Sequence, residues 1–173
     1  MIDTQTINIQ KTTQSKLDTT DFENLNFGQV FSDHMFVMDY ADGKWQQPNI
    51  MPFQNMTMSP ASLVIHYGQS IFEGLKAFKN EDGRFGLFRP DMNIKRMNKS
   101  AVRMCMPEIP ENIFMDALSE LVRLEHNWIP NFELSSLYLR PVLFAIDEYI
   151  GVKASKSYRF MILAAPVNAY YVK

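Results

Sequence analysis

Two Asp-Gly pairs, each set between apolar stretches, constrain the fold of this chain more than any other local feature. Residues 30–40 are rich in Phe, Met and Val and run into Asp42-Gly43. Residues 79–88 contain Asp82-Gly83 in the same setting. Because Asp and Gly both tolerate a positive φ, such pairs are typical of the tight turns that join antiparallel strands. The sequence therefore predicts two β-hairpins.

Two helices are predicted between residues 90 and 126. Pro90 suits the first position of a helix, where its missing N–H is not needed. Four apolar residues then recur at helical spacing and predict a buried stripe: Ile94, Met97, Ala101 and Met104. Pro107 and Pro110 end this helix and open a second one over residues 111–126. The buried stripe of the second helix is predicted to be Phe114, Ala117, Leu118 and Leu121.

Residues 136–144 are predicted to form a strand with Tyr138 and Arg140 on one side. Because Pro141 cannot donate to a sheet ladder, we expect this strand at an edge of the sheet or with a bulge. Residues 159–165 predict a fully buried strand. Strands and helices that group rather than alternate indicate an α+β fold, an antiparallel-rich sheet with helices packed on it.

Length and composition exclude several classes of protein. The 173 residues suit one domain, or a large piece of a two-domain protein, and we expect a flexible arm over residues 1–20 before a domain at 21–173. A net charge of -2 without a basic stripe argues against nucleic acid and membrane surfaces as partners. The single cysteine, Cys105, and the polar first twenty residues favour a cytoplasmic protein.

Arg96 is a candidate anion ligand. The guanidinium fork matches a phosphate group better than the point charge of lysine does. A solvated helix face that also carries Lys95 and Lys99 would explain the same residue.

Arg140 and Tyr138 present a cation and a phenol on one strand face. Such a pair could hold a carboxylate, and a structural ion pair is the alternative. The three histidines, His34, His66 and His126, lie far apart in sequence and show no metal-ligand spacing.

Several ordered motifs carry a resemblance to a known family. They are FGQVFSDHM at residues 27–35, HYGQSIFEGLKAF at 66–78, Arg89-Pro90 followed by Arg96-Met97 and Ser100-Ala101, LYLRP at 137–141 and LAAPVNAY at 163–170. This series resembles the first half of a branched-chain amino-acid aminotransferase, a pyridoxal-phosphate (PLP) enzyme of aminotransferase class IV. The resemblance implies the small N-terminal domain of the fold-type IV fold.

The resemblance also implies roles for particular residues. Arg96 would contact the cofactor phosphate, and Arg140 would help to accept glutamate. The side-chain pocket for leucine, isoleucine and valine would be lined by Phe27, Tyr67, Phe72, Tyr138 and Tyr170. The loop that holds Val152 would reach the site of a partner subunit, which implies a homodimer. The amino group would move to 2-oxoglutarate.

In the family, a lysine of the large C-terminal domain holds PLP, and that lysine would follow Tyr170 by some thirty residues. No catalytic residue is therefore assigned, and we expect residues 1–173 alone to bind PLP weakly and not to transaminate. The alternative is a stand-alone, non-catalytic binding or interaction module derived from this domain. It would use the Arg96 and Arg140 surfaces without chemistry.

Overall fold

The computed structural model describes residues 6–80 and 82–168, which form one sheet with helices. The strands are β1 (Asn8–Ile9), β2 (His34–Ala41), β3 (Lys44–Trp45), β4 (Asn49–Pro52), β5 (Ser70–Phe72), β6 (Leu75–Lys79), β7 (Phe85–Leu87), β8 (Ser136–Ala145) and β9 (Tyr158–Val167). The α-helices are α1 (Leu63–Tyr67), α2 (Pro90–Arg103) and α3 (Glu111–Leu124), and Leu17–Thr19 and His126–Trp128 form short 3-10 helices.

The strands are mostly antiparallel. Their order is β1-β4-β2-β9-β8-β6-β7, with β3 also paired to β2 and β5 also paired to β8. Within the described residues only the β1–β4 pair is parallel. Helices α2 and α3 follow each other in the chain and cover the same side of the sheet. The predicted α+β architecture is confirmed.

Both predicted hairpins are present. Asp42 and Gly43 have φ values of 54° and 74° and join β2 to β3, as the turn chemistry requires. Residues 80–84 join β6 to β7, with Gly83 at a φ of 80°. In the first hairpin, β2 begins at His34 and not at residue 30, so the prediction placed the start of this strand four residues too early.

Alternation along the strands divides the sheet into two faces. One face packs on α2 and α3 through residues such as Phe36, Leu139 and Phe160, which are fully buried. The opposite face, called the open face below, carries Tyr138 and Arg140 of β8. It also carries a smaller apolar cluster centred on Met35, Phe144 and Met161. The predicted site residues of β8 therefore lie on the face that α2 and α3 leave uncovered.

The predicted helices are confirmed with two changes at their ends. Ile94, Met97 and Ala101 are buried, but Met104 is 38% exposed because α2 ends at Arg103. The stripe of α3 is buried as predicted, and this helix ends at Leu124. Each of these helices has 14 residues, and no helix of the described chain combines the length and apolar character that a bilayer span requires.

The expected position of Pro141 was wrong. Its strand, β8, lies inside the sheet, between β9 on one side and β5 and β6 on the other. The carbonyl of Pro141 accepts a hydrogen bond from Glu73 N at 2.9 Å. A residue other than proline at this position would donate its N–H to the Glu73 carbonyl in return. That carbonyl belongs to the Glu73–Gly74 link, which separates β5 from β6. Pro141 is tolerated because the bond that it cannot donate falls at the link between β5 and β6, not within either strand.

Residues 6–20 contact the rest of the domain. β1 pairs with β4, Thr12 N donates to His34 Nε2 at 2.8 Å, and Lys16 N donates to Asp33 Oδ1 at 2.9 Å. The division into an arm and a domain at residue 20 stays a prediction.

Candidate functional site

The Glu73–Gly74 link between β5 and β6 is the centre of the candidate site. The register that pairs Phe72 with Val142 continues across the link into the pairing of Leu75 with Leu139. Because side chains alternate along a strand, Phe72 faces the open face and Glu73 faces α2. Two arginines therefore meet this short segment from different sides of the sheet.

Arg96 of α2 binds Glu73 through both prongs of its guanidinium. Nε donates to Oε1 at 2.7 Å, and Nη2 donates to Oε2 at 2.7 Å. Asn93 Nδ2 donates to Oε2 at 2.9 Å. Burial acts to raise the pKa of the Glu73 carboxyl, but the hydrogen bonds and charge of Arg96 outweigh burial, so this pKa lies below its ordinary value. Glu73 is ionised at neutral pH and holds one edge of Arg96.

The other edge of Arg96 is open to solvent. Its side chain is 70% exposed, whereas that of Glu73 is 5% exposed. Within the described residues no hydrogen bond to Nη1 is formed, so this nitrogen offers two N–H donors. A phosphate group needs such charge-assisted donors, so the residues fit one end of a phosphorylated ligand.

Arg140, Tyr138 and Phe72 form a second cluster on the open face. Arg140 Nε donates to Tyr138 Oη at 2.9 Å, and the Arg140 guanidinium lies 4.3 Å from the centroid of the Phe72 ring. Phe27 meets Tyr138 edge to face at a centroid distance of 5.1 Å. Stacking on aromatic rings and one hydrogen bond fix the Arg140 side chain. Its Nη1 and Nη2 atoms make no hydrogen bond among the described residues, so their donors can serve a carboxylate.

Gly74 makes the close packing of this cluster possible. A Cβ atom at this position would lie 2.6 Å from Tyr138 Oη and 3.2 Å from its ring. Any larger residue would push the Tyr138 hydroxyl away from Arg140. The glycine is required here by close approach and not by a positive φ.

The remaining predicted residues lie outside this cluster. Tyr67 is the last residue of α1, where its ring neighbours that of His66 at 6.3 Å. Val152 is 93% exposed in the connection between β8 and β9. Tyr170 lies outside the described residues.

The connection that carries Val152 is held firmly at its base. Tyr158 Oη donates to Ser155 O at 2.7 Å, and Lys156 N donates to Asp147 Oδ2 at 2.9 Å. Its tip exposes Ile150 and Val152, both apolar. A fixed base with an exposed apolar tip is suited to contact with another surface.

Sequence reasoning missed Glu73 and Asn93. The sequence does indicate Glu73, because in a strand its side chain would lie on the same face as the apolar side chains of Ile71 and Leu75, which is the buried face. A buried acid needs a cationic partner, and Arg96 supplies it.

Solved structures share this fold. The chain superposes on the branched-chain amino-acid aminotransferase of Escherichia coli with a TM-score of 0.58 at 24% identity, covering 80% of this chain and 41% of that one. The branched-chain aminotransferase of the archaeon Thermoproteus uzoniensis, solved with norvaline, gives a TM-score of 0.58 at 23% identity over 78% and 41% of the two chains. The chain thus shares the fold of part of these two solved chains.

Sequence comparisons give the family. The chain is 52% identical over 152 residues to the branched-chain-amino-acid transaminase 1 of Bacillus subtilis (strain 168), covering 87% of this chain and 43% of the relative. It is 47% identical over 168 residues to the branched-chain-amino-acid aminotransferase 2 of the same organism, covering 96% and 46%. The chain belongs to the branched-chain aminotransferase family and corresponds to its N-terminal part. It spans less than half the length of these relatives. No family model matches it.

Proposed function

We propose that these residues form the N-terminal side of the active site of a branched-chain aminotransferase. The reaction moves the amino group of leucine, isoleucine or valine to 2-oxoglutarate with PLP as cofactor. The observation that carries the proposal is the placement of two anchored arginines, Arg96 and Arg140, beside the Glu73–Gly74 link. The identity to the Bacillus subtilis transaminase supports the reaction class. A cytoplasmic location remains a prediction from cysteine usage.

Arg96 would hold the phosphate group of PLP. Its Nη1 edge faces outward, and its charge is secured by Glu73, which raises the pKa of the guanidinium further. When bound, PLP acts as the electron sink for the bonds at the amino-acid Cα, and the protein supplies orientation and electrostatics. The role of Arg96 is to orient the cofactor from its phosphate end.

Arg140 would bind the side-chain carboxylate of glutamate, and the aromatic rings around it would contact branched aliphatic side chains. Phe72 and Tyr138 already flank the guanidinium, and Phe27 extends the aromatic wall. Tyr67 and Tyr170 are proposed to complete this wall. An apolar pocket with one arginine serves both substrates, because the arginine pairs with a carboxylate and stacks beside an aliphatic chain.

Val152 would enter the site of a second subunit. The exposed apolar tip and the anchored base of its connection support a homodimer in which each copy completes the other's pocket. A stand-alone binding module would use the same arginines without chemistry, and no contact among the described residues favours it over the transaminase.

Replacement of Arg96 tests the proposal. In Arg96→Ala, the dissociation constant of the protein for PLP is expected to rise at least about tenfold, because a charge-assisted contact to phosphate is lost. Arg123→Ala is the matched control, since Arg123 is a similarly exposed helical arginine that pairs with Glu120. Fluorescence titration with PLP measures both variants and the parent chain. Equal PLP affinity in Arg96→Ala and the parent would remove Arg96 from the site.

A further inference from the structure

We propose that Glu73 is a positioning residue that sets the direction in which Arg96 presents its free N–H groups to a phosphate. The inference rests on the proposed role of Arg96 in binding the cofactor phosphate. It assigns to Glu73 a task that the resemblance does not supply, since Glu73 was not among the predicted site residues.

Glu73 is buried although it is charged. Its side chain points toward α2, on the same side of the sheet as the buried side chains of Ile71 and Leu75. Both of its oxygens accept hydrogen bonds, Oε1 from Arg96 Nε and Oε2 from Arg96 Nη2 and Asn93 Nδ2. A buried carboxylate with this many donors has a fixed position, because any rotation would leave its charge unpaired in the interior.

The long side chain of Arg96 is flexible on its own, and its hydrogen bonds to Glu73 hold it in one orientation. Arginine loses much rotamer freedom when it is ordered, and a side chain that is 70% exposed has little packing to restrain it. The two parallel hydrogen bonds hold the guanidinium plane, so Nη1 must point away from Glu73. Asn93 lies one helical turn before Arg96 and clamps the carboxylate from the same helix. The free donors of Arg96 are therefore preorganised before any ligand arrives.

The backbone of Glu73 is tied to the strand that carries Arg140. Glu73 N donates to Pro141 O at 2.9 Å, so the backbone of Glu73 is tied to β8. Strand β8 also carries Arg140. This one backbone hydrogen bond therefore fixes Glu73, and with it Arg96, relative to Arg140.

A purely structural ion pair would affect the stability of the fold but would not distinguish a phosphorylated ligand from its unphosphorylated analogue.

Ligand titration by NMR separates these roles. Pyridoxine 5'-phosphate and pyridoxine differ only in the phosphate, and neither carries the aldehyde that would react with amines. Both are titrated into the millimolar range with the parent chain, Glu73→Gln, Arg96→Ala and the control Glu120→Gln. Glu120 pairs with Arg123 on an exposed helix face, so this control removes the same charge elsewhere. The Nε–H resonance of Arg96 is followed in the same ¹⁵N spectra.

In Glu73→Gln, we expect the Arg96 Nε–H to exchange faster with water and the affinity for pyridoxine 5'-phosphate to fall about tenfold. The affinity for pyridoxine and all values for Glu120→Gln should stay at the parent level. An equal loss for both ligands, or no loss for the phosphorylated one while Arg96→Ala weakens it, would overturn the positioning role.

A different set of titration results would refute the proposed phosphate site at Arg96. If Arg96→Ala binds pyridoxine 5'-phosphate as the parent does, or the parent shows no response to it, the phosphate site itself is refuted. If Glu73→Gln does not fold, Asn93→Ala loosens the carboxylate without changing the charge. A phosphate-selective loss in Asn93→Ala supports the role, and parent-level affinity contradicts it.

Discussion

Arg159 and Asp39 stand directly opposite each other on β9 and β2 and form a two-pronged ion pair on the open face. Arg159 Nε donates to Oδ1 and Nη2 donates to Oδ2, each at 2.7 Å. Hydrogen bonding to Asp39 raises the pKa of the arginine, and burial opposes it. The pair lies beside a cleft of about 340 Å³ on this face, which Met35, Met51 and Met161 help to line.

Replacement of Arg159 by lysine should cost stability although the charge is kept. Lysine cannot make two parallel hydrogen bonds, so Arg159→Lys is expected to lower the free energy of unfolding by about 0.5–1 kcal/mol. Urea unfolding measures the change. Arg84→Lys is the control, because Arg84 pairs with Asp82 on the exposed β6–β7 connection, and its effect should be smaller. An equal effect of the two substitutions would show that the fork geometry contributes nothing.

Enlargement of Gly74 should disturb the Arg140 cluster. A Cβ atom would meet the Tyr138 hydroxyl, so Gly74→Ala is expected to cost about 1–3 kcal/mol and to break the hydrogen bond to Arg140. Gly86→Ala is the matched control in a neighbouring strand, where a Cβ would meet no atom within 4 Å. Unfolding midpoints and a crystal structure of the variant check the prediction. Parent-like stability with an unmoved Tyr138 would contradict it.

A buried histidine–glutamate contact joins the end of α3 to β2. His34 Nδ1 and Glu125 Oε1 are 2.5 Å apart, and Asp33 N donates to Oε2 at 2.8 Å. Since Thr12 N donates to the other ring nitrogen of His34, Nδ1 must be the donor to Glu125. Burial raises the pKa of Glu125, and the hydrogen bonds from His34 and Asp33 act against it.

Replacement of Glu125 by glutamine should leave one buried N–H group without a hydrogen-bond acceptor. Glu125→Gln has one acceptor for two buried N–H groups and is expected to lower the free energy of unfolding by about 1–3 kcal/mol. Glu133→Gln, at an exposed position after α3, provides the comparison and should change it by less than about 0.5 kcal/mol. Chemical denaturation of both variants gives the values. A Glu125→Gln protein as stable as the control would refute this account of the contact.

Asp33 should make stability depend on acid pH. Burial acts to raise the pKa of Asp33, but hydrogen bonds from Lys16 N, Ser15 Oγ and Trp128 Nε1 together place it below its ordinary value. A carboxyl whose pKa is lowered in the folded state stabilises above the unfolded value, and that contribution disappears as pH falls through the folded value. The stability difference between the parent and Asp33→Asn should therefore shrink below about pH 4. Unfolding curves at pH 7 and at successively lower pH test this, and a difference independent of pH would contradict it.

Local chemistry explains which elements the sequence predicted well. Asp42-Gly43 and Asp82-Gly83 specify their hairpins because few residues adopt the backbone angles of such turns. Pro90 marks a helix start for the same local reason. These signals depend only on neighbours in the chain, so one sequence is enough to interpret them.

Tertiary pairing explains what the sequence did not predict. The interior position of β8 depends on the interruption at Glu73–Gly74, which is more than sixty residues away from Pro141 in the chain. The Arg96–Glu73 pair likewise joins a helix to the β5–β6 link, 23 residues earlier in the chain. Propensity carries no information on either relation, because each follows from which elements become neighbours in space.

Strands β5 and β6 pair with β8 in one continuous register, and this limits where the chain can accept insertions or deletions. One residue added or removed between Tyr138 and Arg140 would reverse the side-chain alternation on one side of the change and place one of the two on the side of α2 and α3. The same change in residues 80–84, the β6–β7 connection, would leave the phase of β8 untouched. Insertions and deletions compatible with function are therefore expected in that connection and not in the strand that carries the site.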